Sequence, residues 1–211
     1  MNIAVGLDRH YLPDMPAQAH LFPSGAELAL PRGMKYRPGL ISPNEESALA
    51  SYIAELPLKP FEFAGGFKGN RRVVSFGWKY DYGQQRLVEA SAIPEELRTV
   101  RTAAAEFAGH ASDDLVQALV TEYAPGAGIG WHRDKRMFDD IIGISLLAPC
   151  NFRLRLREGD RWKRMSLRAE PRSAYLLSGS ARSEWEHSIP PMDRLRYSIT
   201  FRSMAASPVR L

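Results

Sequence analysis

From Leu115 onward the sequence is written almost wholly in short strands. Leu115–Tyr123, 141–147, 152–156, 162–167, Ala174–Leu177 and 195–201 are each apolar or alternating, and turn-forming residues separate them. Many short strands at this spacing predict an antiparallel sandwich or jelly roll. They speak against a parallel α/β sheet, whose strands would alternate with helices. Arg157-Glu158-Gly159-Asp160 reads as a hairpin turn, with Phe152, Leu154 and Leu156 facing inward and Arg153, Arg155 and Arg157 outward.

Upstream the periodicity changes. Ser42-Pro43-Asn44-Glu45 offers an N-cap serine, a proline at the first helical position and a glutamate placed for a capping box. Ala48, Leu49, Tyr52, Ile53 and Leu56 then recur at helical spacing until Pro57 stops the helix. A second helix is expected over 94–107, with Gly109 beyond its end. The first forty residues carry five prolines and little periodicity, and read as an extended arm. The expectation is one mostly β domain with flanking helices (α+β). It divides residues 1–211 into an arm (1–40), a helical support (41–114) and a β core (115–203).

Composition narrows the class. With 45% hydrophobic and 25% charged residues in 211, the chain is globular rather than disordered. The longest apolar run, 141–147, is far too short to span a bilayer, so no membrane partner is expected. No secretory signal is visible, and the single cysteine, Cys150, excludes an internal disulfide and a cysteine-rich zinc site. A cytoplasmic monomer is the expectation. The net charge of +4 is unevenly placed, since residues 151–172 hold eight basic residues against three acids. Such a patch marks either a phosphate-bearing partner or a solvated strand face.

Two features carry chemistry. His132 and Asp134 are two apart, which on extended backbone puts both side chains on one face, and His187 follows far downstream. Two histidines and a carboxylate are the ligand set of a non-haem iron(II) facial triad, although a lone His-x-Asp is common and each histidine by itself reads first as a hydrogen-bonded structural residue. The second feature is the strict alternation of Arg196 to Arg202. Tyr197, Ile199 and Phe201 share one face, while Arg196, Ser198, Thr200 and Arg202 share the other. That polar face either meets water or lines the mouth of a barrel. Lining a barrel, two guanidinium groups suit the two carboxylates of 2-oxoglutarate, a keto-acid that chelates iron.

The resemblance is then specific. Tyr123-Ala124-Pro125-Gly126, Gly130-Trp131-His132-Arg133-Asp134, Gly179-Ser180-Ala181-Arg182, Trp185-Glu186-His187-Ser188-Ile189-Pro190 and the closing Arg196 to Arg202 resemble AlkB-type iron(II)/2-oxoglutarate dioxygenases. The resemblance implies a double-stranded β-helix (jelly roll) in which His132, Asp134 and His187 bind Fe(II). It also implies that Arg196 and Arg202 hold 2-oxoglutarate, with Tyr123, Thr121 and Ser198 hydrogen-bonding beside them. The reaction implied consumes O2 and removes N-alkyl groups from nucleobases of DNA or RNA, releasing an aldehyde, succinate and CO2. The sequence departs from the family pattern at Thr121 and Ser198, where asparagine is usual, and at Arg136, where the prototype has an acid facing the base.

The family covers its site with a nucleotide-recognition lid, and the segment from about 65 to 86 sits in the matching place. Trp78, Tyr80 and Tyr82 would stack a single-stranded or flipped base there, while Arg71, Arg72 and Lys79 would hold phosphates. Trp131 and Trp185 are expected to pack away from the metal, and Trp162 to lie in the core. Two alternatives remain: a dioxygenase of the same family acting on a protein side chain or small molecule, and a non-catalytic jelly-roll binding module.

Overall fold

The computed structural model describes residues 30–62 and 68–205. The expected arm up to residue 29 and residues 65–67 of the expected lid lie outside them. The chain runs through β1 (Met34–Arg37), α1 (Pro43–Ala54), β2 (Lys59–Glu62), β3 (Lys68–Phe76), β4 (Trp78–Asp81), β5 (Arg86–Glu89), α2 (Arg98–Ala108) and β6 (Leu115–Tyr123). It continues through β7 (Ile129–His132), β8 (Phe138–Leu146), β9 (Cys150–Glu158), β10 (Arg161–Ala169), β11 (Ala174–Leu177), α3 (Gly179–Ser183), β12 (Glu186–Ile189) and β13 (Arg196–Met204). A seven-stranded sheet, β1-β11-β8-β13-β6-β3-β2, faces a four-stranded one, β10-β9-β12-β7, and β4-β5 is a separate hairpin. This is the jelly-roll core with helical support that the strand grammar predicts.

The larger sheet is buried on both faces, and alternation sorts its residues into two cores. Ile142, Ile144 and Leu146 of β8 and Tyr197, Ile199 and Phe201 of β13 pack with Leu49 and Ile53 of α1 and with Val100 and Ala104 of α2. Ile141 of β8 and Tyr175 and Leu177 of β11 instead join Phe152, Leu154 and Leu167 of the smaller sheet. The apolar face of β13 therefore meets the helices. Its polar face, Arg196, Ser198, Thr200 and Arg202, is buried between the sheets. Burying four polar side chains needs partners or a cavity, and here it supplies both.

α1 forms where its cap is written. The Ser42 hydroxyl accepts from the Glu45 amide and the Glu45 carboxylate accepts from the Ser42 amide, closing the capping box, with Pro43 in the first turn. α2 ends on Gly109 in the left-handed region.

Three expectations need correction. The arm is not irregular to its end, because β1 pairs along its whole length with β11 as an edge strand. Residues 68–76 are not a free lid: β3 pairs with β6 inside the larger sheet. The chain leaves that sheet only at Gly77 (φ 73°), where a Cβ would lie 2.1 Å from the Val116 carbonyl oxygen, so glycine alone permits the turn into β4. Trp162 is not in the core either, because its position on β10 opposite Arg157 puts it on the outer face. There it stacks on Arg155 at 4.2 Å and Arg157 at 5.4 Å. Among the described residues no helix is long and apolar enough to cross a membrane.

Candidate active site

β12 lies between β9 and β7, and its register places His187 directly opposite His132. The two rings are 4.3 Å apart. Asp134, two residues past His132, swings back so that a ligand atom from each of the three side chains lies within 4.8 Å of the others. Their order in the chain and their spacing gave the expectation, and the fold assembles them.

Each group is in the form a metal needs. His132 Nδ1 donates to the Gly130 carbonyl at 2.9 Å, which turns Nε2 toward Asp134 Oδ1 at 3.7 Å. Burial, reinforced by the neighbouring His132, brings the His187 pKa down to about 3, so its ring is neutral. Burial alone would raise the Asp134 pKa. The charge of Arg202, with the nearby histidines and Arg182, outweighs it and holds the carboxyl well below the usual range. Arg202 Nη2 donates to Asp134 Oδ2 at 3.2 Å and Nη1 to Gln117 Oε1 at 2.9 Å. Two imidazoles and one carboxylate suit a divalent iron with positions left open.

Arg182 was not among the residues picked out by chemistry, although it closes one of the resembling segments. Its guanidinium donates to the carbonyls of Asp139 (2.9 Å), Lys135 (2.7 Å) and Phe138 (2.9 Å), pinning the turn that follows Asp134. Arg182→Ala should loosen that turn and lower iron affinity by about 10- to 100-fold, the usual cost of losing a residue that supports a ligand. Unchanged iron affinity in an equilibrium titration would contradict this.

Behind the triad opens a cavity of about 860 Å³ whose walls include Thr121, Tyr123, Ser198, Thr200 and Arg202. Arg196 lies behind that wall, beside Tyr123 and Ser145. It is wholly buried, its Nε donates to Ser145 Oγ at 3.0 Å, and its charge sits 5.0 Å from the centre of the Tyr123 ring. Both terminal nitrogens, Nη1 and Nη2, have no hydrogen-bond partner among the described residues. Two parallel unpaired donors on a buried planar cation are the complement of a carboxylate. The residues present therefore fit 2-oxoglutarate beside iron.

At the mouth, Tyr80 and Tyr82 meet edge to face with centroids 4.9 Å apart, and Phe61 adds a third ring 5.7 Å from Tyr82. The Lys135 ammonium lies 4.2 Å from the Tyr80 centroid, and the Arg71 guanidinium lies 4.0 Å from that of Phe61. Three of the expected substrate-binding residues are elsewhere. Arg72 points to the other face of β3 and forms a two-pronged ion pair with Glu122, at 2.6 and 2.7 Å. Neighbours on a strand face opposite ways, so only one of Arg71 and Arg72 can reach the cavity. Trp78 lies outside the cavity wall, with its carbonyl accepting from Gln117 Nε2 at 2.8 Å. Arg136 is exposed in the turn after Asp134, and Lys135 occupies the wall instead.

The model of the 2OG-Fe(II) oxygenase superfamily matches residues 33–202, nearly all of the described chain. The chain belongs to that superfamily. As a member it is an iron(II)- and 2-oxoglutarate-dependent oxygenase, and it is similar to AlkB-type dioxygenases. It is 32% identical over 159 residues to the Alkylated DNA repair protein ALKBH8 homolog of Arabidopsis thaliana, covering 63% of this chain and 46% of that protein. It is 32% identical over 126 residues to the Alpha-ketoglutarate-dependent dioxygenase AlkB of Salmonella typhimurium, covering 54% and 57% respectively. The match thus spans about half the length of these curated relatives. The solved structure of OsALKBH1 superposes with a TM-score of 0.61 at 15% identity, over 81% of this chain and 96% of that one, and shows the shared fold.

Proposed function

We propose that the oxygenase oxidatively removes N-alkyl groups from nucleobases of DNA or RNA. The observation that carries this reading is the mouth of the cavity, where Phe61, Tyr80 and Tyr82 are interleaved with the cations of Arg71 and Lys135. A base stacks on rings while phosphates meet cations, and this wall offers both within one cavity. The names of two relatives, one an alkylated DNA repair protein and one AlkB, support the same substrate class.

In this reading His132, Asp134 and His187 hold iron, and Arg196 takes the far carboxylate of 2-oxoglutarate. Thr121, Tyr123 and Ser198 line the channel between them. When bound, iron with 2-oxoglutarate and O2 would supply hydroxylation of the alkyl C–H bond, the co-substrate leaving as succinate and CO2, and the hemiaminal so formed would release an aldehyde and the unmodified base. Arg202 already spends one N–H on Asp134 and one on Gln117, so it orients the metal carboxylate as well as offering its remaining donors to the co-substrate. The single buried Cys150 suits a reducing, cytoplasmic setting.

A cationic track supports a strand longer than the flipped nucleotide. Trp131 belongs both to the cavity wall and to a stack in which the Arg155 guanidinium lies 4.5 Å from its ring and 4.2 Å from Trp162. Arg153 and Arg157 flank this stack on the outer face of β9, 5.2 Å from the Trp131 ring and 5.4 Å from the Trp162 ring respectively.

The deciding experiment is 2-oxoglutarate turnover and mass-spectrometric dealkylation over a panel of alkylated oligonucleotides. Turnover stimulated by one of them is expected. Turnover indifferent to all of them would end the reading and turn attention to a protein or small-molecule substrate. In anisotropy titrations, replacing Arg153 and Arg157 together by alanine should reduce the salt slope, log K against log[salt], by roughly 0.7 per lost phosphate contact. Tyr80→Ala should leave the slope alone and cost about 1–3 kcal/mol of stacking.

A further inference from the structure

We infer that Lys135 is a specificity-determining residue that directs the site toward alkylated bases without a charge, such as N3-alkyl uracil or thymine and N1-alkyl guanine, and against the cationic N1-alkyl adenine and N3-alkyl cytosine. The inference rests on the nucleobase reading above and names which bases that site takes.

The placement begins with the backbone. Lys135 directly follows Asp134 of the triad, and its own carbonyl accepts from Arg182 Nη2 at 2.7 Å. That bond fixes where the side chain starts, whatever the side chain is. The exposed side chain then crosses the mouth, and its ammonium stops 4.2 Å from the centre of the Tyr80 ring and 5.0 Å from that of Tyr82. The negative face of an aromatic ring attracts an ammonium, so the two tyrosines hold it there. They are also the rings on which a base would stack. A base entering toward the triad therefore lies against a positive charge, which bears on the base itself as well as on its phosphate.

The rest of the wall does not neutralise that charge. Arg202 and Asp134 pair with each other. Of the other charged residues lining the cavity, Arg71, Lys79, Arg133 and Lys135 are cations, and only Glu62 and Asp81 are acids. The Asp81 carboxylate is turned into its own hairpin, where it accepts from the Gln84 amide at 2.9 Å. Neither acid forms an ion pair with Lys135 among the described residues. The mouth is thus net positive from side chains alone.

The alkylated position decides the charge of the incoming base. A carbon on N1 of adenine or N3 of cytosine leaves the ring cationic at neutral pH. A carbon on N3 of uracil or thymine, or on N1 of guanine, takes the place of a proton and leaves the ring neutral. The neutral bases also carry a carbonyl beside the alkylated nitrogen, an acceptor for the ammonium, whereas N1-alkyl adenine has an amino group and a C–H there. A like charge held at stacking distance costs roughly tenfold to a hundredfold in affinity at the effective dielectric of a protein surface. A charge-assisted hydrogen bond to the carbonyl acts in the same direction.

The test compares single-stranded oligonucleotides that differ only in one base, N3-methyl uracil or N1-methyl adenine. Binding is read by anisotropy on the full chain loaded with Mn(II) and 2-oxoglutarate, and dealkylation by competition of the two with Fe(II). The wild type should prefer the neutral base about tenfold or more, and the margin should shrink as salt screens the repulsion. Lys135→Glu should reverse the preference, Lys135→Met should narrow it and Lys135→Arg should keep it. All three variants retain the backbone bond to Arg182 and should fold as the wild type does. A wild-type preference for N1-methyl adenine overturns the assignment and leaves the nucleobase reading standing, as does a ratio that Lys135→Glu does not change. If neither oligonucleotide is bound or dealkylated, the nucleobase reading fails and the assignment falls with it.

Discussion

Alanine in place of His187 is expected to abolish turnover and iron retention while leaving the far-ultraviolet circular dichroism spectrum in place. The ring is neutral, buried and stacked on Phe152, so it contributes a preformed lone pair rather than a charge the fold depends on. Losing a residue that merely supports a metal ligand costs about 10- to 100-fold; losing one of only three ligands should exceed that. Asp134→Ala should be as inactive and should also destabilise the fold, because it strips the Arg202 guanidinium of its only carboxylate partner among the described residues. Iron stoichiometry after desalting, measured beside a thermal melt, separates the two effects. A His187→Ala protein that retains one iron per chain and turns over normally would remove the histidine from the site.

Arg196→Met should move stability and function in opposite directions. In the absence of co-substrate the wild-type guanidinium is wholly buried with two unpaired nitrogens, and no carboxylate pairs with it among the described residues. Unsatisfied buried donors cost about 1–3 kcal/mol, and apolar side chains of similar volume often replace buried ions at a gain. The variant should therefore melt several degrees higher than wild type when both are free of ligand. Its affinity for 2-oxoglutarate should fall on the order of 10²-fold or more, since truncating one member of a buried charge pair costs 2–5 kcal/mol or more. Added 2-oxoglutarate should then raise the melting point of the wild type and not of the variant. A variant that is less stable without ligand and equally stabilised by it would show that Arg196 serves the core rather than the co-substrate.

Legibility in the sequence followed the physics of each element. α1 was readable because its start signal is local: Ser42, Pro43 and Glu45 cap one another within four residues. β13 was readable because strict alternation over seven residues fits only a strand, and His132 and Asp134 because their spacing survives the end of β7. Arg71 and Arg72 were not separable, because which of two neighbours faces the cavity depends on the register of β3 against β6, residues about fifty apart in the chain. Trp162 misled because an aromatic on a strand looks like core, whereas here stacked guanidinium groups cover it on the outer face. β1 was masked by the surrounding prolines, which are compatible with an edge strand as well as with an arm.

The register that sets His187 against His132 joins strands far apart in sequence, and β12 pairs with β9 along its other edge. A slip of one residue in that pairing would turn one of the two imidazoles to the outside of the barrel. All three groups therefore come together only once β12 has paired with β7 in this register, unlike the local ligands with which zinc organises a small finger. Metal uptake becomes a proofreading signal: it reports that the last strands have closed in the correct phase. In a refolding experiment, iron or manganese capture should lag behind the recovery of β-sheet signal and coincide with the final, slowest phase. The fraction of chains able to take up metal then counts the molecules whose barrel closed in register.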